Sequence, residues 1–128
     1  MYDLVDLFFS TSFKKVEKGH CKVYLDIDPT YNSAYIGFAG EKDWKRPYSH
    51  KKDLLTEAHK QNPNRRVFSI EGLSYKNARV LEAFLIKYGQ EKYGLTKPKG
   101  EIKENILLNK RRERVWEKYI EETLVISS

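Results

Sequence analysis

Apolar and polar residues alternate in two neighbouring stretches of the chain, residues 22–27 and 33–38. A period of two is typical of β-strands that bury one of their faces. Residues 28–32 include Asp, Pro and Asn and have the composition of a turn. The two strands are therefore predicted to form a hairpin.

The hairpin brings two tyrosines together. Tyr24 and Tyr35 are eleven positions apart. A register that pairs Tyr24 with Tyr35 also pairs Val23 with Ile36, and both tyrosines then project from the face opposite the aliphatic side chains. Their hydroxyl groups are expected to converge.

Helices and one more strand are predicted around this hairpin. Residues 2–9 are expected to form a short helix that docks on the domain, and residues 10–19 are expected to form a linker. A helix over 51–60 and a strand over 66–70 follow the hairpin.

A longer helix is predicted over 75–88, with Ser74 as its N-cap and Gly89 as its end. After a basic loop, a closing helix is expected to start near Asn109 and to bury apolar residues at helical spacing. Those residues are Val115, Trp116, Tyr119, Ile120 and Leu124.

These elements predict an α+β fold, a small three-stranded antiparallel sheet flanked by helices. The length of 128 residues fits one domain. We assign residues 1–20 to an N-terminal helical and linker extension and residues 21–128 to the domain itself.

The charge of the chain favours an anionic partner. Lys and Arg outnumber Asp and Glu by 24 to 18, which gives a net charge of +6. Nucleic acid is the favoured partner, although an anionic membrane surface would also be served. The single cysteine, Cys21, excludes an internal disulfide framework and a multi-cysteine metal site.

The chain is expected to work away from the membrane. No stretch approaches the length needed to span a bilayer, and the apolar N-terminus has no basic leader typical of a signal peptide. The expected compartment is the cytoplasm, of the cell or the infected cell that makes the protein.

Glu82 is the most informative single residue of the pattern. It falls inside the apolar arc of the helix predicted over 75–88. A carboxylate there is costly unless it is paired or binds a cation. Two interpretations stay open, a salt bridge to Arg79 or another base and a cation site.

Arg46 and His50 are four positions apart, which places two side chains on one helix face. Pro47 pushes the residue before it out of the helical region, so Arg46 is expected at the start of the helix and His50 one turn in. A solvated basic face is the alternative, because lysines surround both residues.

Four segments in this order resemble the GIY-YIG nuclease superfamily. The sequence KVYLDIDPTYNSAYIGF resembles its paired-strand signature, and RPYSH resembles its basic segment. ARVLEAFLIKYG is similar to its glutamate-bearing helix, and ILLN to its late asparagine motif. The resemblance covers about Cys21 to Asn109. The first motif lacks the usual glycine and isoleucine, and Asn105 is a rival of Asn109.

The resemblance implies a metal-dependent endonuclease that hydrolyses DNA phosphodiester bonds. Glu82 would be the single protein ligand of Mg²⁺ or Mn²⁺, with water in the remaining positions. Tyr24 would be the general base towards water, directly or through His50. A phenol with a pKa of about 10 needs nearby positive charge for this role.

The other positions of the resemblance imply supporting roles. Arg46 would neutralise the pentavalent phosphate, and Tyr35 would orient water or phosphate. Asn109 would hold Glu82 or the backbone beside it. Gly37 would keep its strand bare so that the substrate backbone can approach.

Nine basic residues flank the expected site in sequence and are candidates for phosphate contacts that read no bases. A solvated face is the alternative for each cluster. They are Lys42, Lys45, Lys51, Lys52, Arg65, Arg66, Lys110, Arg111 and Arg112.

Three functions remain in competition at this stage. A DNA endonuclease leads, an RNA-cleaving nuclease such as a toxin domain is the second, and a basic nucleic-acid-binding module that cuts nothing is the third. Two cuts from one active site call for a dimer or for two binding events, so a homodimer is a further expectation.

Overall fold

A computed structural model describes residues 2–29, 33–40, 64–93, 107, 109 and 112–126. The helix predicted over 51–60 lies outside these residues. The described helices and strands, in chain order, are α1 (Tyr2–Ser10), β1 (Ser12–Phe13), β2 (Lys18–Asp28), β3 (Ser33–Ala39), β4 (Arg66–Leu73), α2 (Tyr75–Tyr93), α3 (Arg114–Glu117), α4 (Ile120–Thr123) and β5 (Leu124–Val125).

A three-stranded antiparallel sheet organises the fold. Its strand order is β3-β2-β4, so the long strand β2 is central and pairs on both sides. Helices pack against this sheet, which confirms the predicted α+β class. The third strand, β4, continues to Leu73, three residues beyond the predicted end at residue 70.

The predicted register of the hairpin is wrong by two residues. Tyr24 lies opposite Gly37, and Tyr35 lies opposite Asp26. The predicted register would close the hairpin with Pro29 and Thr30 alone, and the tight two-residue turns require a positive φ that proline cannot adopt. A shift of two residues keeps every side chain on its own face, so the tyrosines still share one.

The main core lies on the other face of the sheet, where Val23, Leu25 and Ile36 meet helices α1 and α2. The first helix buries Leu4 and Phe8 completely. The predicted docking of the N-terminal helix is therefore confirmed.

Residues 10–19, predicted to be a linker, contain regular structure. Strand β1 pairs with β5 near the other end of the chain, and β2 begins at Lys18 rather than at residue 22. The prediction was wrong because the partner of β1 is more than a hundred positions away in sequence. Local polarity carries no information about such a pairing.

Helix α2 is longer than predicted. Its N-cap at Ser74 is confirmed, because the Ser74 hydroxyl accepts a hydrogen bond of 3.1 Å from the amide of Asn77. The predicted end at Gly89 is wrong, since the helix continues to Tyr93. At Gly89 a Cβ would lie 2.8 Å from a methyl carbon of Leu107, so this glycine serves close packing.

The single closing helix is also wrong. Asn109 lies outside any helix, and two four-residue helices, α3 and α4, precede strand β5. Ile120 and Leu124 are buried against Val80 of α2, whereas Val115 is 65% exposed. Pairing with β1 takes Leu124 into a strand, which ends the helical spacing that the sequence suggested.

Asp3 ties the first helix to the end of α2. Its carboxylate accepts hydrogen bonds from Lys92 Nζ at 2.8 Å, from the Tyr88 hydroxyl at 3.2 Å and from the Tyr93 hydroxyl. Burial alone would raise the pKa of Asp3, but the hydrogen bonds from Lys92 and Tyr93 and the charge of Lys92 hold it below its usual value. Burial and Asp3 together raise the pKa of Tyr93 to about 12.

Replacing Asp3 by Asn is expected to lower the free energy of unfolding by about 1 kcal/mol at neutral pH. The lowered pKa of Asp3 means that its contribution is complete above the unfolded-state value of 3.8 and is lost as the pH falls through the folded-state value. Urea denaturation at pH 7 measures the loss of stability, and denaturation at pH 3 measures how much of that loss disappears in acid. Asp6→Asn, at an exposed position of the same helix, is the control. A loss that is equal at both pH values would contradict this role of Asp3.

Candidate active site

Tyr24 and Tyr35 lie side by side on one face of the sheet, called the tyrosine face below. Their ring centroids are 6.3 Å apart and the ring planes are inclined by 40°. Tyr24 is fully buried and Tyr35 is 9% exposed. The shared face that the alternation predicted is therefore present, and the rings meet diagonally across the ladder rather than directly opposite each other.

The ring of Tyr24 lies across the backbone of Gly37. A Cβ atom at Gly37 would be 2.0 Å from Cζ and 2.2 Å from the hydroxyl oxygen of Tyr24. No side chain larger than hydrogen fits there unless the ring moves. The expectation that Gly37 leaves its strand bare for the substrate is thus wrong in one respect, because the ring of Tyr24 covers that space.

Charged residues are buried on the tyrosine face. Lys22, Asp26 and Asp28 share this face of β2 with Tyr24, and each is at most 5% exposed. The alternation along β2 suggested a solvated face here, but all seven residues from 22 to 28 are buried. Burying ionised groups costs several kcal/mol each unless they are paired, so they are typical of a functional site.

Asp26 is a site residue that the sequence interpretation missed. It lies directly opposite Tyr35, and its carboxylate is held by Arg65. Arg65 Nε donates to both carboxylate oxygens at 2.8 Å, and Nη2 donates to Oδ2 as well. The signal was present in the sequence, since Asp26 has the same strand parity as Tyr24.

The side chain of Asn109 hydrogen-bonds the backbone at the outer edge of β3. Its Oδ1 accepts a hydrogen bond of 2.8 Å from the amide of Ile36, and its Nδ2 donates one of 2.7 Å to the Ile36 carbonyl. Gln90 of α2 donates to the carbonyl of Asn109 at 3.1 Å. Asn109 thus holds the backbone of β3, and the role beside Glu82 that the resemblance implied stays a prediction. Its rival Asn105 lies outside the described residues.

Glu82 is buried on α2, with 6% of its surface exposed. Arg79 Nη1 lies 3.0 Å from its Oε1, so the salt bridge that the sequence left open is present. The guanidinium of Arg79 also stacks over the ring of Phe38, 4.2 Å from its centroid. Burial would lower the pKa of Arg79, but the Tyr75 hydroxyl and the Glu82 carboxylate raise it above its usual value.

Glu82 lies level with the middle of β3. The ring of Tyr75, in the first turn of α2, contacts Phe38 near the end of β3. Further along α2 the helix packs on Leu107, which pairs with Ala34 near the start of β3. The helix therefore runs antiparallel to β3, and Glu82 lies about 10 Å along its axis from Tyr75. The structure thus brings Tyr24, Asn109 and the helix that carries Glu82 to the same strand, with this helix on the face opposite the tyrosines.

Two of the nine basic residues predicted to contact phosphate form salt bridges with carboxylates of the protein itself. Arg65 holds Asp26, and Arg112 Nε donates to Glu117 Oε1 at 2.6 Å. Arg66 is exposed. The other predicted site residues lie outside the described part of the chain, namely Arg46, His50, Lys42, Lys45, Lys51, Lys52, Lys110 and Arg111.

Among the described residues a divalent cation could be held by no more than two carboxylates at one place. Among the described residues no group of three His, Cys, Asp or Glu side chains could hold a metal ion. Magnesium is usually held by one or two carboxylates together with water and substrate phosphate. Glu82, as a buried oxygen donor, meets that requirement.

Comparison with protein-family models, with curated proteins and with solved structures finds no match to this chain. The resemblance to GIY-YIG nucleases therefore stays a prediction from the sequence motifs.

Replacing Gly37 by Ala is expected to displace the ring of Tyr24 and to lower the free energy of unfolding by about 1–3 kcal/mol through overpacking. Gly40→Ala is the matched control, because a Cβ there meets no atom of the described residues within 4 Å. That variant is expected to change stability by less than about 0.5 kcal/mol. Urea denaturation of both variants tests the contact, and equal stabilities would show that the ring does not depend on Gly37.

Proposed function

We propose that the protein is a metal-dependent endonuclease that hydrolyses phosphodiester bonds of DNA at the edge strand β3, with the tyrosines on one face of the sheet and Glu82 on the helix that packs on the other. The proposal rests on one observation. Residues from separate sequence motifs lie together at three consecutive residues of β3, Tyr35 to Gly37. The ring of Tyr24 lies on Gly37, the amide of Asn109 grips Ile36, and Tyr35 itself stands beside Tyr24. Segments far apart in sequence converge here, as the resemblance requires.

Tyr24 is proposed as the general base that takes a proton from the attacking water, directly or through His50. A phenol is a weak base at neutral pH, so positive charge must favour its ionised form. On the described part of the tyrosine face the charge of Arg65 is balanced by the Asp26 carboxylate. Arg46 would supply the positive charge and would neutralise the phosphate, with Tyr35 orienting the water or the phosphate.

Glu82 is proposed as the residue that holds Mg²⁺ or Mn²⁺. Such an ion, when bound, supplies positive charge that stabilises the leaving oxygen. In the described structure the carboxylate of Glu82 is paired with Arg79. Arg79 also stacks on Phe38, which gives its guanidinium a second contact when Glu82 turns to a cation. We propose that Arg79 keeps the carboxylate ionised before metal binds.

DNA is the proposed partner because a net charge of +6 and a phosphate-directed site favour nucleic acid. RNA is retained as an outcome of the test below, and a homodimer is proposed only for cutting both strands. No helix among the described residues is long and apolar enough to cross a membrane. The compartment implied by this substrate is the cytoplasm, of the producing cell or of a host.

The proposal is tested by incubating the protein with plasmid DNA and with structured RNA, in Mg²⁺, in Mn²⁺ or in EDTA. Nicking of the plasmid that needs the metal is expected. Glu82→Gln and Tyr24→Phe are expected to slow it by about 100-fold or more, because each removes a group that acts on the reacting phosphate or water.

Measuring the binding of the same DNA in EDTA shows whether a variant that fails to cut has lost catalysis or has lost its fold. Both variants should bind within about threefold of the wild-type protein, and Glu91→Gln, at an exposed position of the same helix, should cut at the wild-type rate. Cutting by Glu82→Gln at the wild-type rate would refute the site. Cleavage of RNA alone would change the substrate, and tight binding without any cutting would favour the non-catalytic module.

A further inference from the structure

Four aromatic side chains form a continuous row beside the start of α2, called the aromatic row below. They are Phe38, Tyr75, Trp116 and Tyr119. The ring centroid of Tyr75 lies 5.5 Å from that of Phe38 and 5.7 Å from that of Trp116. The rings of Trp116 and Tyr119 follow at 6.0 Å. Strand β3, the first turn of α2 and the segment from α3 to α4 each supply a part, so the fold assembles the row from distant segments.

Packing of the core explains only part of the aromatic row. Trp116 and Tyr119 pack against the buried cluster around Val80, so their inner sides stabilise the fold. Tyr75, which lies between Phe38 and Trp116, is 53% exposed. A ring that stays mostly in water gains little from burial, and contiguous exposed apolar surface is typical of interaction sites. The position of Tyr75 therefore indicates a task besides packing.

Arg79 connects the aromatic row to the carboxylate that is proposed to hold the metal. Its guanidinium carbon is 4.2 Å from the ring centroid of Phe38 and 5.4 Å from that of Tyr75. Its Nε donates to the Tyr75 hydroxyl at 3.4 Å, and its Nη1 donates to Glu82 Oε1 at 3.0 Å. A base stacked on Tyr75 would thus be separated from Glu82 by a single side chain.

Two ammonium groups lie at the other end of the aromatic row. Lys76 Nζ and Lys118 Nζ are 5.4 Å and 5.5 Å from the ring centroid of Tyr119. Both lysines are exposed. Lys76 also pairs with Glu122 at 3.5 Å, but an exposed pair of this kind contributes little to stability. The two ammonium groups are therefore placed to contact the phosphates of a strand that runs along the rings.

This combination of rings and cations fits a single strand of nucleic acid. Bases stack on aromatic side chains when they are unpaired, whereas the bases of a duplex are already stacked on each other. Every base has a π-face, so stacking of this kind needs no particular sequence. The cations supply the contacts to phosphate that accompany such stacking.

We propose that the aromatic row binds unpaired nucleotides, with Tyr75 and Trp116 stacking on bases and Lys76 and Lys118 contacting phosphates. The substrate is then a DNA duplex that continues into a single-stranded segment beside the site. This inference rests on the proposed nuclease function and adds the class of DNA substrate to it.

The first test measures binding in EDTA to one labelled duplex that carries either a tail of unpaired thymidines or an abasic tail of equal length. The two tails carry the same phosphates and differ only in their bases. The wild-type protein is expected to bind the thymidine tail about tenfold more tightly, because bases stacked on aromatic rings add affinity. Tyr75→Ala should lose this preference, and Tyr75→Phe, which keeps the ring, should retain it.

Phe9→Ala is the matched control for the loss of an exposed ring. Phe9 is 57% exposed and meets Phe8 and Phe68 edge to face on another part of the protein. This variant is expected to keep the wild-type preference for the thymidine tail. Thermal unfolding reports whether each variant folds, and the comparison of the two tails with the wild-type protein needs no variant.

The second test reports directly on the aromatic row. Trp44→Phe leaves Trp116 as the only tryptophan of the chain. Oligothymidylate added in EDTA is expected to quench the fluorescence of Trp116, because a base stacks on the indole ring. Adding Tyr75→Ala to this variant should raise the concentration needed for half of the quenching about tenfold. Unchanged fluorescence at saturating oligonucleotide would overturn the inference.

Cutting in Mg²⁺ completes the comparison. The duplex with the thymidine tail is expected to be cut about tenfold faster than the duplex with the abasic tail when both are below saturation. Metal-dependent cutting together with equal binding of the two tails would overturn the role of the aromatic row and leave the nuclease proposal standing.

The remaining outcomes also separate the two proposals. Preference for the thymidine tail without cutting in Mg²⁺ or Mn²⁺ would overturn the nuclease proposal and leave the aromatic row as a binding surface. Absence of both the preference and the cutting would overturn both. Equal losses in Tyr75→Ala and Phe9→Ala would overturn the role of the aromatic row, because the effect would then not depend on its position.

Discussion

The contact between the ring of Tyr24 and the bare backbone of Gly37 is the constraint on which the site depends. It requires β2 and β3 to pair in one register, because a shift of two residues would place the ring beside Tyr35 instead of over the glycine. Asn109 stabilises the same part of β3 from the outer edge of the sheet. Its side-chain amide hydrogen-bonds both the N–H and the carbonyl of Ile36, the residue before Gly37. An edge strand usually leaves such groups to solvent or to another chain. Here one side chain satisfies both.

Burial of charge on the tyrosine face has a cost that the rest of the molecule offsets. The opposite face of the sheet packs an apolar core with α1 and α2, and the helix termini are tied by Ser74 and by the hydrogen bonds of Asp3. Most apolar contacts therefore lie on one side of the sheet, and the two tyrosines with Lys22, Asp26 and Asp28 lie on the other. This division allows residues 22–28 of β2 to be buried on both faces and still include Lys22, Tyr24, Asp26 and Asp28.

Sequence periodicity was sufficient for the fold class and for the shared face of the tyrosines, because alternation determines faces whatever the register. It was insufficient for the register, which depends on the length of the turn, and for the pairing of β1 with β5, which joins distant segments. The arc around Glu82 predicted its burial correctly, whereas only the structure shows its pairing with Arg79. Asp26 was overlooked because an alternating strand does not reveal whether its polar face is covered. The end of α2 was wrongly predicted at Gly89. In the sequence, a glycine that makes room for Leu107 cannot be told from a glycine that ends a helix.

The most direct measurement is anomalous diffraction from crystals of the Tyr24→Phe protein grown with a DNA duplex and Mn²⁺. The account predicts a manganese peak within about 2.0–2.3 Å of a Glu82 carboxylate oxygen. It also predicts a backbone phosphate at the edge strand β3, between that ion and the ring at position 24. A duplex bound elsewhere on the protein, with Glu82 still paired to Arg79 and no manganese beside it, would contradict the account.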